Sequence, residues 1–170
     1  MHYREIVEEF PRVEGPPRSK GLHVSDIIRD MVPHNTWENN LFMEVGFIWE
    51  RALSLAFGEE LANRPGEIVK DGIAMSPDGM DWENWVLEEY KSTWKSSRHL
   101  PVDNEYWMRQ TQAYCLALGT CVVRMRILYV MGNYAGSGPQ YKVYEIHFTS
   151  RELEENWQAI LNHARHKSWL

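Results

Sequence analysis

The sequence predicts an α/β domain in which a central mixed β-sheet is flanked by helices. Apolar residues recur at helical spacing in some segments and in strand-like patterns in others, and these segments follow the order α-α-β-β-β-α-β-β-α. The chain has 170 residues, of which 44% are hydrophobic, so it can form one domain with a sizeable core. We therefore expect a single domain over residues 1–170, with 1–21 as a polar lead-in rich in Pro and Gly.

Four helices are predicted from apolar spacing and capping signals. Ser25 is a suitable N-cap for the first helix, and Gly58 is a typical residue just after the second. The capping box Thr149-Ser150-Arg151-Glu152 marks the start of the last helix. The predicted helices cover residues 25–31, 36–57, 103–118 and 150–165.

Five strands are predicted from apolar runs that are bounded by turn residues. Asp71-Gly72, Pro77-Asp78-Gly79 and a Gly/Ser-rich stretch at 132–138 provide the turns. The predicted strands cover residues 67–69, 73–75, 85–91, 121–131 and 140–149.

Composition excludes several classes of protein. No apolar run approaches the roughly 18 residues of a membrane span, and the charged residues 1–10 do not resemble a signal peptide. The two cysteines, Cys115 and Cys121, fit a reducing compartment, and they are too few for a four-cysteine iron–sulfur cluster. We expect a cytoplasmic protein with no membrane partner.

Asp78, Glu89 and Lys91 form the most informative pattern in the chain. Alternate side chains of a strand share a face, so Glu89 and Lys91 lie on one face and Glu88 and Tyr90 on the other. Asp78 precedes this strand in a turn, near the point where a hairpin partner meets Glu89. Two such carboxylates suit Mg²⁺ or Mn²⁺, and the lysine can reach a phosphate or an attacking water. The net charge of −6 disfavours a general nucleic-acid coat but is compatible with a metal-dependent nuclease.

The pattern resembles the PD-(D/E)XK nuclease superfamily. Pro77-Asp78 matches the PD element, Glu89-Tyr90-Lys91 matches the (D/E)XK element, and Gln110 and Tyr114 form a Gln-x-x-x-Tyr pair on one helical face. That pair is similar to the motif of the RecB-like and Cas4-like exonuclease branch, which also includes phage-type enzymes. The resemblance covers roughly residues 44–131 and implies a restriction-endonuclease-like α-β-β-β-α-β core.

The resemblance implies roles for individual residues. Asp78, Glu89, the Tyr90 carbonyl and an acid from the preceding helix would hold Mg²⁺ or Mn²⁺, with Lys91 orienting or activating the water. The helix acid is Glu50 or, as an alternative, Glu44. Gln110 and Tyr114 would support the site.

The sequence departs from the RecB-like and Cas4-like exonuclease branch in two ways. The cysteines of Cas4-like proteins and a Walker-type motor motif are both missing from the sequence. His23 is a candidate for the N-terminal histidine ligand of some RecB-like enzymes, although a surface or capping role also explains it.

Several alternatives stay open. Glu88 would replace Glu89 if the strand contained a bulge. Trp94, Lys95 and Arg98 would bind substrate, or would simply belong to a solvated loop. Arg124 and Arg126 alternate on a strand and face either substrate or solvent.

The expected function is that of a DNA exonuclease in recombination or repair, in a bacterium or a phage-infected host cell. Its partners would be single- or double-stranded DNA, with a homo-oligomer or a recombination or repair protein as further possibilities. The alternatives are a structure-specific endonuclease and a non-catalytic binding module.

Overall fold

The computed structural model describes residues 18–32, 40–61, 64–136 and 138–170, so most of the predicted lead-in and the start of the second predicted helix lie outside it. The helices are α1 (Val24–Met31), α2 (Asn40–Leu61), α3 (Glu105–Leu118) and α4 (Ser150–His166). The strands are β1 (Leu22–His23), β2 (Ile68–Lys70), β3 (Ile73–Met75), β4 (Gly79–Asp81), β5 (Val86–Thr93), β6 (Val122–Tyr129) and β7 (Gln140–His147).

The strands form two mixed sheets. The order is β1-β3-β2 in the smaller sheet and β4-β5-β6-β7 in the larger one. The pairs β1–β3 and β5–β6 are parallel, and the other pairs are antiparallel. The predicted α/β class with flanking helices is confirmed, but its sheet is divided between two hydrogen-bonded units.

Several boundaries differ from the sequence prediction, and the first helix begins at Val24 with His23 rather than Ser25 at its N-cap. The second helix does not end at Gly58 but continues to Leu61, because one glycine inside a helix costs only about 1 kcal/mol. Trp85 is not part of a strand, since its φ of 58° places it in the left-handed region within the turn between β4 and β5. The strands β1 and β4 were not predicted, because β1 has only two residues and β4 begins at Gly79, which was assigned to a turn.

The two faces of the larger sheet are covered by different helices. Leu87 and Val123 belong to the core cluster together with Ala113 of α3 and Trp157 of α4. On the opposite face α2 packs against β5, and Trp49 makes an edge-on contact with Tyr141 at 5.6 Å between ring centroids. The face of β5 that α3 covers is the one that carries Glu89 and Lys91. No helix in the described part of the chain is long and apolar enough to cross a membrane.

Candidate active site

Asp78 is positioned by the hairpin of β4 and β5. The register pairs Gly79 with Glu88, which brings Asp78 opposite Glu89 at the open end of β4. The Tyr90 backbone N–H donates to Asp78 Oδ2 at 2.8 Å. Because the N–H and C=O of one strand residue point to the same edge, the Tyr90 carbonyl also faces the Asp78 side.

Glu89 is a buried acid with one partner. Only 1% of it is exposed, and its Oε1 accepts a hydrogen bond from Lys91 Nζ in an ion pair. Its other oxygen, Oε2, is buried and has no hydrogen-bond partner among the described residues. Burial, with the Asp78 charge adding to it, raises the pKa of Glu89 to about 8. This carboxyl therefore has one oxygen available for a cation.

Lys91 connects the strand to α3. Its Nζ donates to Gln110 Oε1 at 3.1 Å, and Gln110 Nε2 donates to the Tyr114 hydroxyl at 3.0 Å. Burial works against the ammonium ion, but the charges of Glu89 and Asp78 raise the pKa of Lys91 above its usual range. Burial also raises the pKa of the Tyr114 phenol, so both groups keep their protons. The structure thus brings together all four residues that strand parity and helical spacing grouped in the sequence.

Glu50 approaches the same region from α2. It forms an ion pair with Arg64. Burial and then the charge of Asp78 raise the pKa of Glu50, and Glu50 in turn contributes to the raised pKa of Glu89 after burial and Asp78. These mutual effects indicate that Glu50 lies near Asp78 and Glu89, and the choice between Glu50 and Glu44 as the helix acid stays a prediction.

The residues present fit a divalent cation, although they do not form a closed cage. In the described ranges no three His, Cys, Asp or Glu side chains lie close enough together to hold a metal as they stand. However, Glu89 Oε2 is buried and has no hydrogen-bond partner among the described residues, and the nearby charge of Asp78 acts on the same carboxyl. Mg²⁺ is typically held by one or two carboxylates plus waters and substrate oxygens, which is the donor set found here.

Glu88 has a different, structural environment. It is fully buried on the opposite sheet face, where Arg126 Nε donates to its Oε2 at 2.6 Å and Arg124 Nη1 donates to its Oε1 at 3.1 Å. The register between β5 and β6 is continuous, so no bulge exchanges Glu88 with Glu89. Arg124 and Arg126 therefore form ion pairs with Glu88, which the sequence did not predict, and a contact of either with substrate stays a prediction.

The predicted substrate-binding residues follow β5 in an exposed loop. Trp94, Lys95 and Arg98 are all exposed, and Ser97 ties this loop to the β6–β7 turn through its N–H, which donates to the Gly132 carbonyl at 2.8 Å. Their role stays a prediction.

His23 is a buried residue at the start of α1. It is 5% exposed, makes no side-chain capping bond, and its Nε2 lies 3.1 Å from the Ser19 carbonyl oxygen. A surface role is therefore wrong, whereas His23 does occupy the N-cap position of α1, and its ring contacts Ser19 and Glu67.

Two features of the site were missed in the sequence. Tyr106 precedes Gln110 by one helical turn and contributes, after Glu89 and Asp78, to the raised pKa of Lys91. The i, i+4 spacing from Tyr106 to Gln110 could have revealed it. Arg64, the partner of Glu50, lies in a loop and had no sequence signal.

Comparison with known proteins supports the fold. No family model matches the chain, and no curated protein matches its sequence. LHK-Exo, an alkaline exonuclease from Laribacter hongkongensis solved in complex with dAMP, matches with a TM-score of 0.56 and 19% identity over 86% of this chain and 89% of that chain. A phage-related exonuclease from Haemophilus somnus 129PT matches with a TM-score of 0.54 and 12% identity over 82% and 78% of the two chains. SSO0001 matches with a TM-score of 0.54 and 14% identity over 86% and 78%. The chain thus shares its fold with these solved structures, two of which are exonucleases, in agreement with the expected fold.

Proposed function

We propose that this protein is a Mg²⁺- or Mn²⁺-dependent DNA exonuclease of the RecB-like branch, acting in bacterial or phage DNA recombination or repair. The observation that carries the proposal is the pair of Glu89 and Lys91, buried together, with a partnerless carboxylate oxygen and Asp78 across the hairpin. The fold of two solved exonucleases supports it, and the dAMP bound to LHK-Exo supports a deoxynucleotide substrate.

Each residue has a defined task in this proposal. Asp78, Glu89, the Tyr90 carbonyl and Glu50 would hold the cation, which when bound neutralises phosphate charge and makes water a better nucleophile. Tyr90 N–H fixes the Asp78 carboxylate in the orientation needed for binding.

Lys91 would act on the substrate side. Two of its three N–H groups are directed to Glu89 and Gln110, which leaves the third for a phosphate oxygen or the attacking water. Its raised pKa keeps it cationic, so it stabilises negative charge rather than accepting a proton. Tyr114 holds the Gln110 amide and thereby the position of Lys91.

The test is cleavage of linear duplex and covalently closed circular DNA in Mg²⁺, Mn²⁺ or EDTA. We expect metal-dependent loss of the linear DNA only. Asp78→Ala and Lys91→Ala should abolish it, whereas Glu154→Gln, which alters an exposed acid on α4, should not. Cutting of the circle would favour an endonuclease, and no metal-dependent cleavage of any DNA or RNA would refute the proposal in favour of a binding module.

A further inference from the structure

An open cavity lies directly beside the candidate active site, between the end of β5, the segment 95–100 and the start of α3. Thr93 lines it from β5, two residues beyond Lys91 and therefore on the same face. Trp107 lines it from α3, one turn before Gln110. Two strand residues span roughly 7 Å. The cavity is thus the next position along the groove that holds Lys91 and Gln110.

The size of the cavity limits what can enter it. Its enclosed volume is about 50 Å³, which is space for roughly four waters. A phosphate group fits in this space. The cavity is open to solvent on one side, where Leu100 is 49% exposed, so a larger group attached to the phosphate can extend outwards.

The walls are held in place by hydrogen bonds within the protein. The Tyr129 hydroxyl donates to the His99 carbonyl at 2.9 Å, and the Leu100 N–H donates to Asp103 Oδ2 at 3.2 Å. The Asn104 side chain accepts from the Trp107 N–H at 3.2 Å. The cavity is therefore preformed, and its Asp and Asn oxygens are already engaged.

Two side chains of the lining are available to an anion. The Lys95 ammonium and the His99 imidazole make no hydrogen bond or ion pair with any residue in the described part of the chain, while the Lys95 backbone N–H is bound to Thr93 Oγ1 at 3.1 Å. A cation and a ring N–H donor at the rim of a phosphate-sized space are suitable for a phosphate. Asp103 is the one acid of the lining and opposes an anion.

We propose that this cavity is a nucleotide subsite that holds the backbone phosphate next to the scissile one. Lys95 and His99 bind the phosphate, and the attached sugar and base lie over Leu100 and Trp107. The subsite rests on the proposed nuclease function and extends it. It gives Lys95 a specific phosphate contact and assigns new substrate contacts to His99 and Trp107.

The test is calorimetric titration of the full chain with dAMP in EDTA, with deoxyadenosine as the ligand that lacks the phosphate. We expect Lys95→Ala to weaken dAMP binding about tenfold, the effect of losing one charge-assisted hydrogen bond. His99→Ala should weaken it to a similar extent. Asp103→Asn should tighten it, because it removes the opposing charge. Lys70→Ala, a matched charge removal on β2 outside the cavity, should leave binding unchanged.

The outcomes separate the subsite from the nuclease function. Equal affinity of Lys95→Ala and Lys70→Ala for dAMP would overturn the subsite, even in a protein that degrades DNA. A loss that follows Lys91→Ala but not Lys95→Ala would also overturn it, because the mononucleotide would then lie at the catalytic residues. The expected pattern in a protein without cleavage activity would support the subsite and reject the nuclease proposal. Equal binding of deoxyadenosine and dAMP would exclude a phosphate as the recognised group.

Discussion

The two consecutive glutamates of β5 are both buried, yet their surroundings differ. Glu88 is 0% exposed and receives hydrogen bonds from Arg124 and Arg126, so its charge is compensated within the protein. Glu89 is 1% exposed and, among the described residues, has a single cationic partner, a carboxylate opposite it and one oxygen without a partner. A buried charge needs compensation. Glu88 is therefore a structural acid, whereas the charge of Glu89 is incompletely compensated by the described residues, as the proposed cation site requires.

The largest expected effect is on activity at Glu89. Glu89→Gln removes the charge and leaves a nearly isosteric side chain, so we expect nuclease activity to fall about 10³-fold. Stability near neutral pH should be maintained, because a carboxyl with a pKa of about 8 is largely uncharged there in the metal-free protein. Initial rates on linear DNA with Mn²⁺, together with urea unfolding, measure both. Retained activity would contradict the assignment of the catalytic role to Glu89 and of the structural role to Glu88.

Glu88 should show the reverse pattern. Glu88→Gln leaves two buried guanidinium groups without their full counter-charge, and we expect the free energy of unfolding to drop by about 3 kcal/mol. Activity per folded molecule should persist. The control is Glu83→Gln in the exposed β4–β5 turn, for which we expect a change within about 0.5 kcal/mol. A stability loss equal to that of the control would contradict a structural role for Glu88.

The contrast between the two glutamates was only partly visible in the sequence. Strand parity placed Glu89 with Lys91, and helical spacing placed Gln110 with Tyr114, because both periods are local properties of the backbone. The partners of Glu88 depend on the register Glu88↔Arg124 and Tyr90↔Arg126 between strands that are distant in the sequence. No local pattern encodes such a register.

The same limit applies to other features. The sheet divides at residues 76–78, where β3 and β4 are too short to show a period. The cavity depends on the bond from Tyr129 to His99, which joins residues 30 positions apart. By contrast, the order of helices and strands follows from composition and spacing, and it was predicted almost completely.

The pH dependence of stability should also distinguish Glu89 from Glu88. The pKa of Glu89 is raised to about 8, so the folded state holds this proton more tightly than the unfolded state does. Stability of the metal-free protein should therefore fall as pH rises from about 4.5 to about 8 and then level off. Glu89→Gln should lack this decline.

The stabilising effect of Mn²⁺ should increase with pH, whereas the stability of the metal-free protein should decrease. The cation binds the ionised carboxylate, so its stabilising effect should grow as pH rises to about 8. Melting temperatures with Mn²⁺ and with EDTA at pH 6 and 8.5 test this. A Mn²⁺ effect of equal size at both pH values would contradict the raised pKa of Glu89.

The smallest effects are expected further from the carboxylates, along α3. Gln110→Ala removes an acceptor of Lys91, and we expect about a tenfold loss of kcat because one hydrogen bond that orients the ammonium group is gone. Tyr114→Phe removes only the hydroxyl that holds the Gln110 amide, so a few-fold loss should follow. Gln112→Ala is the matched control, since its side chain lies about 200° around the helix from Gln110. Similar losses for Gln110→Ala and Gln112→Ala would mean that α3 acts through helix stability alone. An effect confined to Gln110 and Tyr114 would show that α3 maintains the arrangement of Glu89 and Lys91 on the face of β5 that it covers.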